Sequence, residues 1–373
     1  MNGMSDTGDY SVTRRVLDAL NIDPVLFVLL GVLAAFGIVL LYSGSGSNID
    51  LILRQLTRLS IGLFFCILVA NVPSRLLKSF SVWLYLLGVL LLLAVMFFGE
   101  VGKGAQRWLD LGVIRFQPSE ILKLAVPMMV ASYLADRALP IGFKDLFVSV
   151  ILVLIPVMLI ARQPDLGTAI LVGSAGAFVL FLAGVRWKIM LSLMFLLSLM
   201  APLLWKYALH DYQRSRILTM FNPESDPLGS GYHIIQSKIA IGSGGVYGKG
   251  WLNGTQSQLD FIPERSTDFI FSVFGEEFGF IGCVILILLY LSIIFRGLYI
   301  AAKSKDSFGQ LVAGAISLTF FVYLFVNIGM VSGMLPVVGV PLPLISYGGT
   351  SMVTLLTGFG LIMSIRSTKR LLG

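Results

Sequence analysis

The chain has 373 residues, 57% of them hydrophobic and only 13% charged, with a mean hydropathy of +0.90, whereas soluble domains carry roughly 25% charged residues. A water-soluble globular enzyme is excluded. The net charge of +7 bears on membrane orientation and not on nucleic acid, because in a membrane protein the placement of cations says more than their sum.

The N-terminal tail, residues 1–23, mixes both signs of charge. The first apolar run, 24–43, is full length with no small-residue cleavage site after it, which reads as an uncleaved anchor. A bilayer-spanning helix takes about 20 apolar residues. Further runs near 55–72, 80–99, 119–135, 145–161, 166–184, 187–207, 268–296, 308–332 and 346–366 therefore predict an all-α polytopic membrane protein of ten spans, one domain over 1–373. Pro127, Pro156 and Pro202 fall inside runs and predict kinks. Ten spans put both termini on one side. With that side cytoplasmic, the inner loops and ends hold fourteen cations and the outer ones six, as the positive-inside rule requires. The tails 1–23 and 367–373 are then cytoplasmic, and the long segment 208–266 between spans seven and eight is extracytoplasmic.

Between spans three and four, Lys103, Arg107 and Arg115 supply cations, and Trp108 suits an interfacial anchor. Glu120 and Lys123, three apart in span four, share one helix face. Ionisable groups at membrane depth are functional candidates, and such a pair can also simply neutralise itself. Asp165 reads as a helix cap or structural partner. In the long outer segment, residues 232–241 mix isoleucines with polar residues, which suits a short helix lying at the interface or packed on neighbouring spans. The glycine-rich run 242–250 misses the Walker spacing and reads either as a turn or as backbone amides that hold a pyrophosphate beside Lys249. Asp268 opens span eight, where helix-terminal amides favour a carboxylate, as a base or as an ordinary helix-start acid. Glu276 and Glu277 lie about 12 and 13.5 Å further along the helix, too far from Asp268 for the paired carboxylates of glycosidases. Cys66 and Cys283 sit in apolar runs and His210 and His233 lack ligand spacing, so neither a disulfide framework nor a zinc site is expected.

The strings KGAQRWLDLG at 103–112, RFQPSE at 115–120, QPDLGTA at 163–169, NPESDPLGSGYHIIQSKIAIGSGG at 222–245, RSTDFIFSVFGEEFG at 265–279 and MLPVVGVPLPLISYGGTS at 334–351 resemble the signatures of the SEDS proteins (shape, elongation, division and sporulation). Val337 and Val338, where division-type members carry a lysine, are similar to the elongation type. The resemblance implies a peptidoglycan glycosyltransferase that polymerises lipid II at the outer face of the cytoplasmic membrane during elongation. It also implies a class B penicillin-binding protein as transpeptidase partner, within an elongation complex. By motif, the family's essential aspartate matches Asp268, and its acidic and basic cavity pair matches Glu120 and Lys123. The donor is an anomeric pyrophosphate and the acceptor a sugar 4-hydroxyl, so one inverting displacement needs a single base, Asp268. Leaving-group charge would fall to cations such as Lys123, Lys249, Arg265 or Arg107, or to a divalent ion, Mg or Mn, on the pyrophosphate. The alternatives are a lipid II flippase and a non-catalytic scaffold that activates a penicillin-binding protein.

Overall fold

A computed structural model describes residues 20–371 except 103–104, 111–114, 138–140, 208–210, 228, 260 and 263. The tail 1–19, Lys103, His210 and residues 372–373 lie outside the described residues, as do the side chains of Arg115 and residues 367–370.

Ten helices of 17 residues or more are present among the described residues, each on one of the ten apolar runs. In chain order the elements are α1 (Pro24–Gly44), α2 (Ile49–Ala70), α3 (Ser74–Phe98), β1 (Glu100–Gly102), β2 (Ala105–Asp110), β3 (Arg115–Phe116), α4 (Pro118–Ala135), α5 (Phe143–Arg162), α6 (Leu166–Leu182) and α7 (Trp187–Tyr207). The long connecting segment follows as α8 (Asp211–Phe221), a 3₁₀ turn (Pro223–Ser225), α9 (Ser230–Gly244) and α10 (Thr255–Gln258). Three long helices close the chain: α11 (Ile270–Ala302), α12 (Ser307–Val331) and α13 (Thr350–Leu371). By length and composition six helices can cross a membrane, α1, α2, α3, α5, α11 and α12, and α6 and α13 carry shorter apolar stretches. The protein is a multi-pass membrane protein.

Local chemistry sets where these helices begin. Carboxylate or amide side chains satisfy first-turn amides that no helical carbonyl can reach: Asp23 takes Leu26 N–H at 2.7 Å, Asn48 takes Leu51 N–H at 3.2 Å, Asp165 takes Thr168 N–H at 3.2 Å and Asp306 takes Gly309 N–H at 3.2 Å. Asp165 is thus the cap that its position suggested, and it also accepts from Gln117 at 2.8 Å. The Asn48 cap starts α2 six residues before its apolar run, so Arg54 and Arg58 lie within the helix. The three expected prolines sit inside α4, α5 and α7.

The strands, which hydropathy did not signal, form a small antiparallel ribbon ordered β1-β2-β3, with Leu109 opposite Phe116. The ribbon delivers the chain to Pro118 at the start of α4. α12 is the central helix: 72% of its apolar window is buried, against 17–33% for the other five long spans. Outer helices such as α2 and α3 turn Phe64, Phe97 and Phe98 outward, toward the hydrocarbon where apolar side chains cost nothing.

α9 packs on the helices beside it. Its Ser237 hydroxyl donates to the Val331 carbonyl at 2.7 Å, and Ile234 and Ala240 are fully buried. Gly244 is obligatory there, since an added Cβ would stand 2.0 Å from the Gly275 carbonyl oxygen. The glycine run beyond it is an ordered turn sewn to a break in α11 at Gly279 (φ 64°, ψ −164°). Lys249 N–H and Gly250 N–H donate to the Glu276 and Glu277 carbonyls at 3.0 and 2.9 Å, while Phe280 and Ile281 N–H donate back to Gly245 and Val246 at 2.9 and 3.1 Å. Those two amides are therefore spent on α11.

Candidate active site

Two of the expected site elements meet on one face of α12. The first is the Glu120–Lys123 pair in the opening turns of α4, with Nζ 2.7 Å from Oε1 and both side chains 6% exposed. The Lys123 ammonium lies 5.3 Å from the centre of the Tyr323 ring, within cation–π range. A small, largely apolar cavity, lined by Leu124, Ile316, Phe320, Leu355 and Phe359 with Lys123 and Tyr323 at its wall, adjoins it, and Glu120 Oε2 has no hydrogen-bond partner.

The second element is Asp268, half-buried in the turn that precedes α11. The backbone on which it stands is held at three successive carbonyls. Tyr347 N–H donates to Ser266 O at 2.8 Å, the Ser346 hydroxyl to Thr267 O at 2.6 Å and the Asn327 amide to Asp268 O at 2.9 Å. The same Asn327 amide donates to Val340 O at 2.8 Å. Next to Val340, Gly339 adopts φ +76°, and a side chain there would begin 3.4 Å from Asp268 Oδ2, so the loop 332–349 presses bare backbone against the carboxylate. Tyr323 and Asn327 are four residues apart, about 6 Å along the axis of α12. That spacing puts the acid–base pair and Asp268 on neighbouring turns of one helix face.

The remaining expected cations each engage the protein. Lys249 Nζ pairs with Glu276 Oε1 and meets Thr255 Oγ1, both at 2.8 Å. Arg107 donates to the Pro164 carbonyl and lies 3.9 Å from Asp165. Arg265 donates to the Ser257 carbonyl and abuts Gly46. Glu276, fully buried, also accepts Gln256 and Ser257 N–H at 3.0 and 3.2 Å, which makes it the anchor of α10.

Several residues that line this region escaped sequence reasoning. Asn327 is fully buried, and the signal was available: an amide deep in the apolar run 308–332. Arg58 lies 4.4 Å over the Tyr347 ring with a buried Nη1 that has no hydrogen-bond partner, and Gln55, one turn earlier, donates to Ser346 O at 3.1 Å. Arg216 donates to Val337 O at 2.9 Å from the outer segment. The loop carrying Gly339 is thereby tied to α2, α8, α12 and the Asp268 turn.

Comparison with known proteins agrees with this architecture. The sequence pattern of the FtsW/RodA/SpoVE family, described as cell cycle proteins, matches residues 23–371. The chain is 50% identical to the peptidoglycan glycosyltransferase MrdB of Escherichia coli K12 over 355 residues, 95% of this chain and 96% of that one. It is 34% identical to a probable peptidoglycan glycosyltransferase FtsW of Geobacter metallireducens, covering 92% of this chain and 94% of the relative. Among solved structures, a chain from a peptidoglycan synthase complex that coordinates polymerization and crosslinking superposes with a TM-score of 0.81 at 34% identity, over 92% of this chain and 97% of that one. The rod shape determining protein RodA of Thermus thermophilus gives 0.71 at 29% identity, over 92% and 96%. With the family pattern spanning nearly every residue and the half-identical relative covering the same length, the chain belongs to the FtsW/RodA/SpoVE family, the SEDS proteins.

Proposed function

We propose that this protein is a peptidoglycan glycosyltransferase of the elongation type, which polymerises lipid II at the outer face of the cytoplasmic membrane with Asp268 as its base. The observation that carries the reading is Asp268, whose backbone carbonyl is held by Asn327 of α12, about one helical turn from Tyr323, the residue that faces Lys123. In the reaction an Asp268 oxygen takes the proton from the acceptor's 4-hydroxyl as that oxygen bonds to the donor's anomeric carbon. The anomeric C–O bond breaks, the configuration inverts and the lipid pyrophosphate departs with its electron pair. Lys123, paired with Glu120, lines the cavity beside α12 and is the candidate cation for the lipid head.

For the divalent ion suggested with the pyrophosphate, no group of three or more His, Cys, Asp or Glu is present among the described residues. Asp268 would be a lone carboxylate, with diphosphate oxygens completing the coordination. The cation distribution supports cytoplasmic termini and an extracytoplasmic 208–266 segment, the side on which lipid-linked sugars meet a class B penicillin-binding protein. The synthase complex among the structural neighbours supports such a partner.

Purified protein, alone and with the transpeptidase, is incubated in detergent with labelled lipid II. Strands that resist an inhibitor of penicillin-binding-type transglycosylases are expected, and Asp268→Asn removes them while membrane insertion and partner binding persist. General-base catalysis contributes about 10²- to 10⁴-fold. An Asn variant that keeps more than about a tenth of the parental rate lies outside that range and defeats the base assignment. Absence of strands from the parental protein with its partner favours a flippase or scaffold.

A further inference from the structure

We propose that Asn327 is a positioning residue that holds Asp268 in place for proton transfer. The inference rests on the reading of Asp268 as the base. Asn327 sits four residues before the end of α12 with no exposed surface. Its amide nitrogen donates both protons, to Asp268 O at 2.9 Å and Val340 O at 2.8 Å. Two carbonyl partners fix the amide's orientation, since the opposite flip would set its oxygen against two oxygens. Its own Oδ1 has no hydrogen-bond partner, a cost that a buried leucine of similar shape would avoid. The amide is therefore placed for its donors.

Those donors act at two points around one carboxylate. One bond holds the Asp268 peptide, and the other holds the residue after Gly339, whose backbone stands against Asp268 Oδ2. Of the three groups that hold carbonyls 266–268, only Asn327 belongs to a membrane helix; Ser346 and Tyr347 belong to the same loop as Gly339. Without the amide, the Asp268 turn and the loop lose their common reference to the central helix, and the base can drift from the acceptor hydroxyl. A displacement of about 1 Å in a reacting group costs on the order of 10²-fold in rate.

The test compares parental protein, Asn327→Leu, Asn327→Ser and Asp268→Asn, each purified with its transpeptidase partner, for lipid II turnover, KM and binding stoichiometry. Asn327→Leu is expected to lose about 10²-fold in kcat with KM and stoichiometry unchanged. Asn327→Ser keeps one donor and recovers part of the loss. Parental turnover in Asn327→Leu overturns the proposal, as does a turnover loss matched by an equal loss of lipid II binding, which marks a purely structural residue. If the leucine variant does not fold, the serine variant decides by the same criteria. An Asp268→Asn protein that polymerises at the parental rate removes the base reading and this inference with it. Parental turnover in Asn327→Leu beside an inactive Asp268→Asn removes the inference alone.

Discussion

Removing one member of the Glu120–Lys123 pair leaves the other as an uncompensated charge among buried groups, since both side chains are 6% exposed. Breaking such a pair costs about 3–5 kcal/mol. Glu120→Ala and Lys123→Ala are expected to lower the thermal midpoint in detergent and to impair polymerisation. The double change Glu120→Gln with Lys123→Met restores the midpoint without restoring turnover. Thermal melts and lipid II assays run on the same preparations check this, and a single variant with parental midpoint and rate makes the pair dispensable. The pair was legible because its spacing of three lies within one helix. Tyr323, which faces Lys123 across 5.3 Å, was not, because it stands two hundred residues away in sequence.

At the scale of elements, the break in α11 joins the glycine turn after α9 to the helix bundle. Gly279 adopts φ 64° and ψ −164°, a region closed to other residues, and an added Cβ would stand 2.3 Å from Gly248 N. Such backbone strain alone costs about 1–3 kcal/mol, and the four hydrogen bonds between the glycine turn and residues 276–281 depend on it. Gly279→Ala is expected to lower the thermal midpoint and to open residues 245–258 to limited proteolysis; unchanged digestion shows that the turn tolerates a side chain. Glu276→Gln exposes the same segment to protease, because the carboxylate holds both Lys249 and the first amides of α10. The glycine run was visible in sequence as a turn. What it turned against was not, for the acceptors are carbonyls, which every residue carries.

At the scale of the molecule, Asp23 ties three spans together at one end. Fully buried, it accepts from Arg296 of α11 at 2.8 and 3.1 Å and from Arg366 of α13 at 2.5 Å, while it caps α1. Burial pushes its pKa upward. Hydrogen bonds from Arg296 and Leu26 N–H, with the charges of Arg366 and Arg296, outweigh that and hold it below the ordinary carboxylate value. A depressed folded pKa means that the stabilisation is complete above the unfolded value and fades as pH falls through the folded one. The thermal midpoint of the parental protein is therefore expected to drop in that acid range more steeply than that of Asp23→Asn, which is less stable at neutral pH. Parallel pH curves for the two proteins count against the linkage. Topology has its own check: Ser225→Cys, in the exposed 3₁₀ turn, is expected to react with an impermeant thiol reagent in intact cells, and labelling only after permeabilisation inverts the assigned orientation.

The positions of the long helices and the family signature were determined by the sequence alone. Hydropathy is a property of contiguous windows, and a hydrocarbon layer demands internally bonded helices wherever such a window occurs. The caps at Asp165 and Asn48 are equally local, for a cap and its amide lie three residues apart. Tertiary structure decided the rest. Asn327 meets Asp268 across 59 positions and Asp23 meets Arg296 across 273, pairings that depend on which helix faces come together. The ribbon 100–116 formed without a strong alternating pattern because its strands are two to six residues long. Lys249, Arg107 and Arg265, the candidate cations outside the membrane pair, each have a separate protein partner, since composition counts charges and only packing places them.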